Sequence, residues 1–132
     1  MFKEFDMYPY VRRNLRKRYP ASKGWVIKER ERRGSYEPDF IVERRTKSVI
    51  ERIVVEVKAT PKITENHIKQ INRYAKCLAG ANVKIKEKIL VVPSGAKVSK
   101  IPPDIKIHYS KKFSHKKKKS WKKRKRKYRK KK

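Results

Sequence analysis

Cysteine is nearly missing from this chain. Cys77 stands alone among 132 residues, so neither a disulfide framework nor a cysteine zinc site is available. Histidine is almost as scarce, and none of the three has a second histidine or cysteine at metal-ligand spacing. Long apolar runs are also missing. The longest, "IVV" at 53–55 and "ILVV" at 89–92, are strand length, far short of a membrane span or the core of a signal peptide. A cytoplasmic chain is the expectation. Acids are few, 12 Asp and Glu against 42 Lys and Arg, for a formal charge of +30. A field of that sign attracts polyanions, with nucleic acid ahead of an anionic membrane surface. Glutamine occurs once, at Gln70, while 41% of the residues are charged, a usage that leans toward a thermophile.

The length fits one domain with a modest core, and the charge sets its boundary. Residues 111–132 hold 16 Lys and Arg and no acid, leaving 26 cations and all 12 acids in residues 1–110. The expected organisation is therefore a folded domain over 1–110 and an intrinsically disordered basic tail over 111–132, which cannot bury enough apolar surface to fold alone. Fully extended, such a tail reaches about 70 Å. Its aromatics, Phe113, Trp121 and Tyr128, are suited to stacking on unpaired bases. Lys116, Lys117, Arg124 and Arg126 are the tail cations expected on phosphates, beside Trp121 and Tyr128.

In the domain, Tyr8, Val11, Leu15 and Tyr19 recur at helical spacing over residues 2–18, with Pro9 tolerable if it falls in the first turn. "GWVIKERE" (24–31) and "DFIVER" (39–44) read as a strand pair, and "VIERIVVEVKA" (49–59) as the central strand. Thr64 is a plausible N-cap for a helix running to Ala79, with Gly80 beyond its end. "KEKILVVP" and "DIKIHYS" supply two final strands. The order α-β-β-β-α-β-β predicts an α/β or α+β fold, a mixed sheet flanked by helices.

Two acids stand out in these basic strands. A carboxylate in a strand is costly to bury without a cation or metal beside it. Residues i and i+2 share a face of a strand, so Glu56 and Lys58 project together while Val55 and Val57 point to the other layer. If the neighbouring strand brings Asp39 alongside, two carboxylates and an amine converge at a sheet end. Hard oxygen donors of this kind suit Mg²⁺, with Mn²⁺ as a substitute, and a lysine beside them can orient water or neutralise developing charge. Each signal also has a plainer reading: an exposed Glu56/Lys58 ion pair, a turn cap at Asp39, a helix surface at Gln70 and Tyr74, and surface or half-buried histidines at 67 and 108.

Pro38-Asp39 followed after a hairpin by Glu56-Val57-Lys58 resembles the signature of the PD-(D/E)xK nuclease superfamily, the restriction-endonuclease-like fold. Gln70-x-x-x-Tyr74 on the following helix is similar to a motif of the exonuclease-type branches. Family members often carry an acid on the first helix, and Glu4, in line with Tyr8, Val11 and Leu15, is preferred here over Asp6. The resemblance spans about residues 4–92. It implies a Mg²⁺-dependent phosphodiester hydrolase with Asp39, Glu56 and Glu4 as metal ligands and Lys58 and Gln70 completing the catalytic set. It also implies nucleic-acid contacts from the outward-facing Lys69 and Arg73, with DNA ahead of RNA as substrate. Members often dimerise to cut both strands, which adds a homodimer to the possible partners. The small size favours recognition of nucleic-acid structure over a long base sequence. A second function remains open at this stage: a noncatalytic nucleic-acid-binding protein on a nuclease-like scaffold, such as a ribosomal-RNA-associated component, because the tail resembles the basic, aromatic-dotted extensions of ribosomal proteins.

Overall fold

In the computed structural model, which describes residues 3–32, 37–98 and 101–114, the strand richest in β-branched residues takes the centre. β3 (Ile50–Val57) is buried from Ile53 to its end, as expected of a strand covered on both faces. It lies between β2 (Phe40–Arg45) and β4 (Val83–Ser94), with β1 (Trp25–Glu29) and β5 (Ile105–Ser114) as the sheet edges, in the order β1-β2-β3-β4-β5. The first three strands form an antiparallel meander, and β3, β4 and β5 run parallel. The fold is thus α+β, a five-stranded mixed sheet with two main helices.

The helices take opposite faces. α1 (Glu4–Arg18) buries Met7, Tyr8, Val11 and Leu15 against Phe40, Val42, Val55, Val57, Ile89 and Val91. α2 (Glu65–Leu78) buries Ile71, Ala75 and Leu78 against Ile41, Val54, Leu90, Val92 and Ile105. The alternation along β3 divides the two cores, odd residues toward α1 and even residues toward α2, because successive side chains of a strand point to opposite faces. α2 provides the crossover that joins the parallel strands β3 and β4. Its last carbonyl, that of Leu78, accepts a hydrogen bond from Arg52 at 2.7 Å. Arg52 also pairs with Glu43, which in turn meets Lys28 at 2.9 Å, so three charges cross β1, β2 and β3 in one row.

Three expectations are corrected. Pro9 is not in the first turn: α1 begins at Glu4, so Pro9 is its sixth residue. It sits on the exposed side, where the N–H that it cannot give to the Phe5 carbonyl is replaced most cheaply by water. Asp39 is not the first residue of its strand but a bend immediately before Phe40. The last strand also runs past 110. β5 continues to Ser114, and the Phe113 ring meets Tyr10 edge-on at 6.2 Å, so an aromatic expected on nucleic acid belongs to the packing of the domain. Lys116, Lys117, Trp121, Arg124, Arg126 and Tyr128 lie outside the described residues.

Candidate active site

β2 and β3 are stitched together at one end by their own acids. The last ladder pair there is Phe40 with Val55. One residue further, the Asp39 N–H donates to Glu56 Oε2 at 2.8 Å, and the Val57 N–H donates to Asp39 Oδ2 at 2.7 Å. Each carboxylate thus accepts a backbone hydrogen from the opposing segment, in place of the next ladder bonds. The other oxygen of Asp39 accepts from the Tyr8 hydroxyl at 2.5 Å. Tyr8 lies one helical turn after Glu4, and the Glu4 carboxyl comes within electrostatic reach of Asp39 and Lys58 and faces the Ala59 amide. α1 therefore brings a phenol and an acid to the same sheet end.

From the opposite face comes α2. Lys58 follows the last residue of β3, and its Nζ donates to Gln70 Oε1 at 2.6 Å, while Gln70 Nε2 donates to the Tyr74 hydroxyl at 3.3 Å. Asn66, His67, Lys69 and Arg73 line a cleft of about 420 Å³ with Lys58 and Gln70. The exposed Lys69 and Arg73 put two cations along the cleft. Asp6, the alternative to Glu4, is exposed and accepts the Lys3 N–H at 2.8 Å, a capping role at the start of α1.

The electrostatics follow from burial. Glu56 is 3% exposed, which removes the exposed-ion-pair reading. Desolvation first, and repulsion from Asp39 second, push its carboxyl up to about 8. Asp39 is raised by desolvation too, against hydrogen bonds from Tyr8 and Val57 and attraction to Lys58 and Arg30. Glu4 is raised by desolvation, with Lys58 opposing. In a chain with 30 excess positive charges, the carboxyls of Glu4, Asp39 and Glu56 at one strand end are still each raised from their ordinary values. A cation bound among them relieves both penalties.

Among the described residues no three His, Cys, Asp or Glu side chains form a ready group of metal ligands, and Glu4 stands within electrostatic reach of Asp39 and Glu56. Two carboxylates nonetheless fit Mg²⁺, which keeps several waters and takes one or two protein acids. No nitrogen or sulfur donor stands in the pair to favour a softer ion.

Tyr8, Arg30, Asn66 and His67 escape a search for charged signature residues. For Tyr8 a signal exists: it follows Glu4 by four positions, which stacks the two on one helical face. Arg30 has φ of 51°, in the left-handed region that side chains seldom occupy, and its N–H donates to the Asp39 carbonyl at 2.9 Å. Nothing in the spacing announces that. His67 Nδ1 accepts the Thr64 N–H at 3.0 Å, and desolvation and Lys58 hold the ring below its usual pKa. It is a neutral cap that also lines the cleft.

No protein-family model matches the chain, and no curated protein matches it either. No helix among the described residues is long and apolar enough to cross a membrane.

Proposed function

We propose that the chain is a metal-dependent nuclease of the PD-(D/E)xK superfamily, with a restriction-endonuclease-like arrangement, that hydrolyses phosphodiester bonds in the cytoplasm by structure-directed cleavage of DNA. The observation that carries this reading is the reciprocal stitch of a partly buried Asp39 and a buried Glu56, two carboxyls kept together where desolvation and repulsion both oppose the charge of Glu56. A purely structural strand end would be served as well by uncharged residues, whereas a cation site needs these acids.

Asp39 and Glu56 bind Mg²⁺, with Mn²⁺ able to replace it, and Glu4 adds negative charge beside them. When bound, the ion supplies Lewis acidity toward the scissile phosphate. Tyr8 and the Val57 amide fix the Asp39 carboxylate so that little reorganisation is needed on binding. Lys58, oriented by Gln70, positions the attacking water or balances charge that grows on the phosphate. Lys69 and Arg73 hold flanking phosphates along the cleft.

The basic C-terminal run, 16 cations with aromatics between them, favours a nucleic-acid partner and is shared by a second reading, a noncatalytic RNA-binding scaffold of the ribosomal kind. Incubation with branched, single-stranded and duplex DNA and with RNA, in Mg²⁺ and in EDTA, separates the two. The nuclease reading expects Mg²⁺-dependent cuts that Asp39→Asn, Glu56→Gln and Lys58→Ala each abolish in a folded protein. Cutting that survives excess EDTA removes the metal, and no cutting of any substrate in Mg²⁺ or Mn²⁺ leaves the scaffold.

A further inference from the structure

α1 covers the sheet as far as β4 and leaves a gap over β5. The gap is a groove of about 530 Å³, within the size range of small-ligand sites, and it is separate from the acid pair. Val11, Leu15 and Val91 give it an apolar floor, while Lys17 and Arg18 bring two exposed cations to it. Among the described residues no Asp or Glu lines it, and Glu87 is within electrostatic reach of Arg18 and His108 but outside the lining. Arg18 donates to His108 Nε2 at 2.7 Å. A guanidinium can only donate, so the ring presents a lone pair and is neutral there. Desolvation and the Arg18 charge both lower its affinity for a proton.

Ser110 completes the groove. The residue is 1% exposed, and among the described residues its hydroxyl has no hydrogen-bond partner. A buried, unpaired hydroxyl is a standing penalty that a ligand can remove. Tyr10 adds an aromatic wall at the other end.

We propose that this groove is a second nucleic-acid subsite, one that takes a short unpaired strand with bases against Tyr10 and the apolar floor and phosphates on Lys17 and Arg18. An apolar floor with an unpaired hydroxyl suits a base, and two exposed cations in a lining that holds no acid suit phosphates. The inference rests on the nuclease reading in one respect: α1 runs from Tyr8, on Asp39, to Arg18 beside His108. Ten residues of helix are about 15 Å, the span of about two to four nucleotides of an unpaired strand, depending on how far its bases unstack. An unpaired end leaving the acid pair would therefore lie along α1, and the preferred substrates carry a single-stranded segment next to the cut.

The test is an NMR titration of the full chain with a thymidine tetranucleotide, in EDTA so that nothing is cut and at 200 mM salt to weaken nonspecific contacts. The proposal expects saturable amide shifts at residues 10–18 and 108–110, with affinity about tenfold lower in Arg18→Ala and measurably lower in Ser110→Ala. Both variants keep the fold, since Arg18 is exposed and the Ser110 change removes one oxygen. Shifts confined to α2 or to residues beyond 114 overturn the proposal, as does inorganic tripolyphosphate producing the same groove shifts at the same affinity. Groove shifts in a protein that cuts nothing in Mg²⁺ retain the subsite and remove the nuclease reading. Mg²⁺-dependent cutting without groove shifts does the reverse.

Discussion

Lys58 leaves β3 with its amine held by Gln70, Nζ to Oε1 at 2.6 Å, so the second turn of α2 aims a residue that the strand supplies. If Lys58 acts on the attacking water or the phosphate, its position and its charge matter separately. Gln70→Leu is expected to lower kcat about tenfold or more with KM nearly unchanged, and Gln70→Glu, which keeps an acceptor, to recover most of it. Single-turnover cleavage of a labelled substrate reads this. Equal kcat in wild type and Gln70→Leu would detach Gln70 from the chemistry.

Glu56 sets a pH dependence of stability. Its carboxyl rises from an ordinary 4.5 to about 8 on folding, so between those values the unfolded chain has lost a proton that the folded one retains. Stability then falls as pH climbs from 4.5 to 8 and is level above. Asp39 is raised as well and acts in the same sense. Glu56→Gln keeps an oxygen for the Asp39 N–H and removes this loss. Its melting temperature should match wild type near pH 4.5 and exceed it by several degrees at pH 8.5. A constant difference across that window would contradict the assignment.

Mg²⁺ should reverse the same penalty. A cation that binds the folded chain alone stabilises it by mass action, so millimolar Mg²⁺ at pH 8 is expected to raise the wild-type melting temperature and to leave Asp39→Asn and Glu56→Gln unmoved. Calorimetry in two buffers of different ionisation enthalpy should show protons released on binding, since the carboxyls must ionise to bind.

Truncation after Ser114 should differ from truncation after Ser110. The shorter cut removes 14 of the 42 cations but spares β5 and Phe113. Its melting curve should overlay that of the full chain, while each lost phosphate contact flattens the plot of log affinity against log salt by about 0.9 on duplex DNA. Ending at 110 also takes Phe113 from Tyr10 and should lower the melting temperature.

Arg52 offers a test away from the site. Its side chain is 13% exposed and joins Glu43 to the last carbonyl of α2. Arg52→Met keeps the length of the side chain and should cost about 1–3 kcal/mol in urea unfolding, the penalty of unmade bonds at a partly buried acid and a helix end. Glu43 retains Lys28, which caps the loss.

The element order was legible because β-branched runs and helical spacing are local signals, and Thr64 begins α2 where its capping chemistry suggests. Glu56 and Lys58 could be assigned to one face by alternation alone. Asp39 needed more, since its place opposite Glu56 depends on the β2–β3 register, which residues 40–45 and 50–55 settle together. Tyr8 was visible as a core aromatic but not as a donor to Asp39, because periodicity reports which face a residue takes and not what its polar tip meets. The extent of β5 was hidden by composition: Lys111 and Lys112 sit in a lysine run, yet Pro93 and Ser94 with Ser110 and Ser114 carry the pairing past them.

The hydrogen bond from Val57 to Asp39 has a practical consequence. Most amides in a central strand exchange with solvent only when the sheet opens, but the Val57 amide is held by the side chain that the proposed site offers to a metal. Its deuterium exchange is therefore a gauge, within the protein, of how firmly Asp39 is engaged. An ion that draws the carboxylate away from Val57 should speed that one proton while Val54 and Val55 keep their pace, and an ion that locks Asp39 in place should slow it.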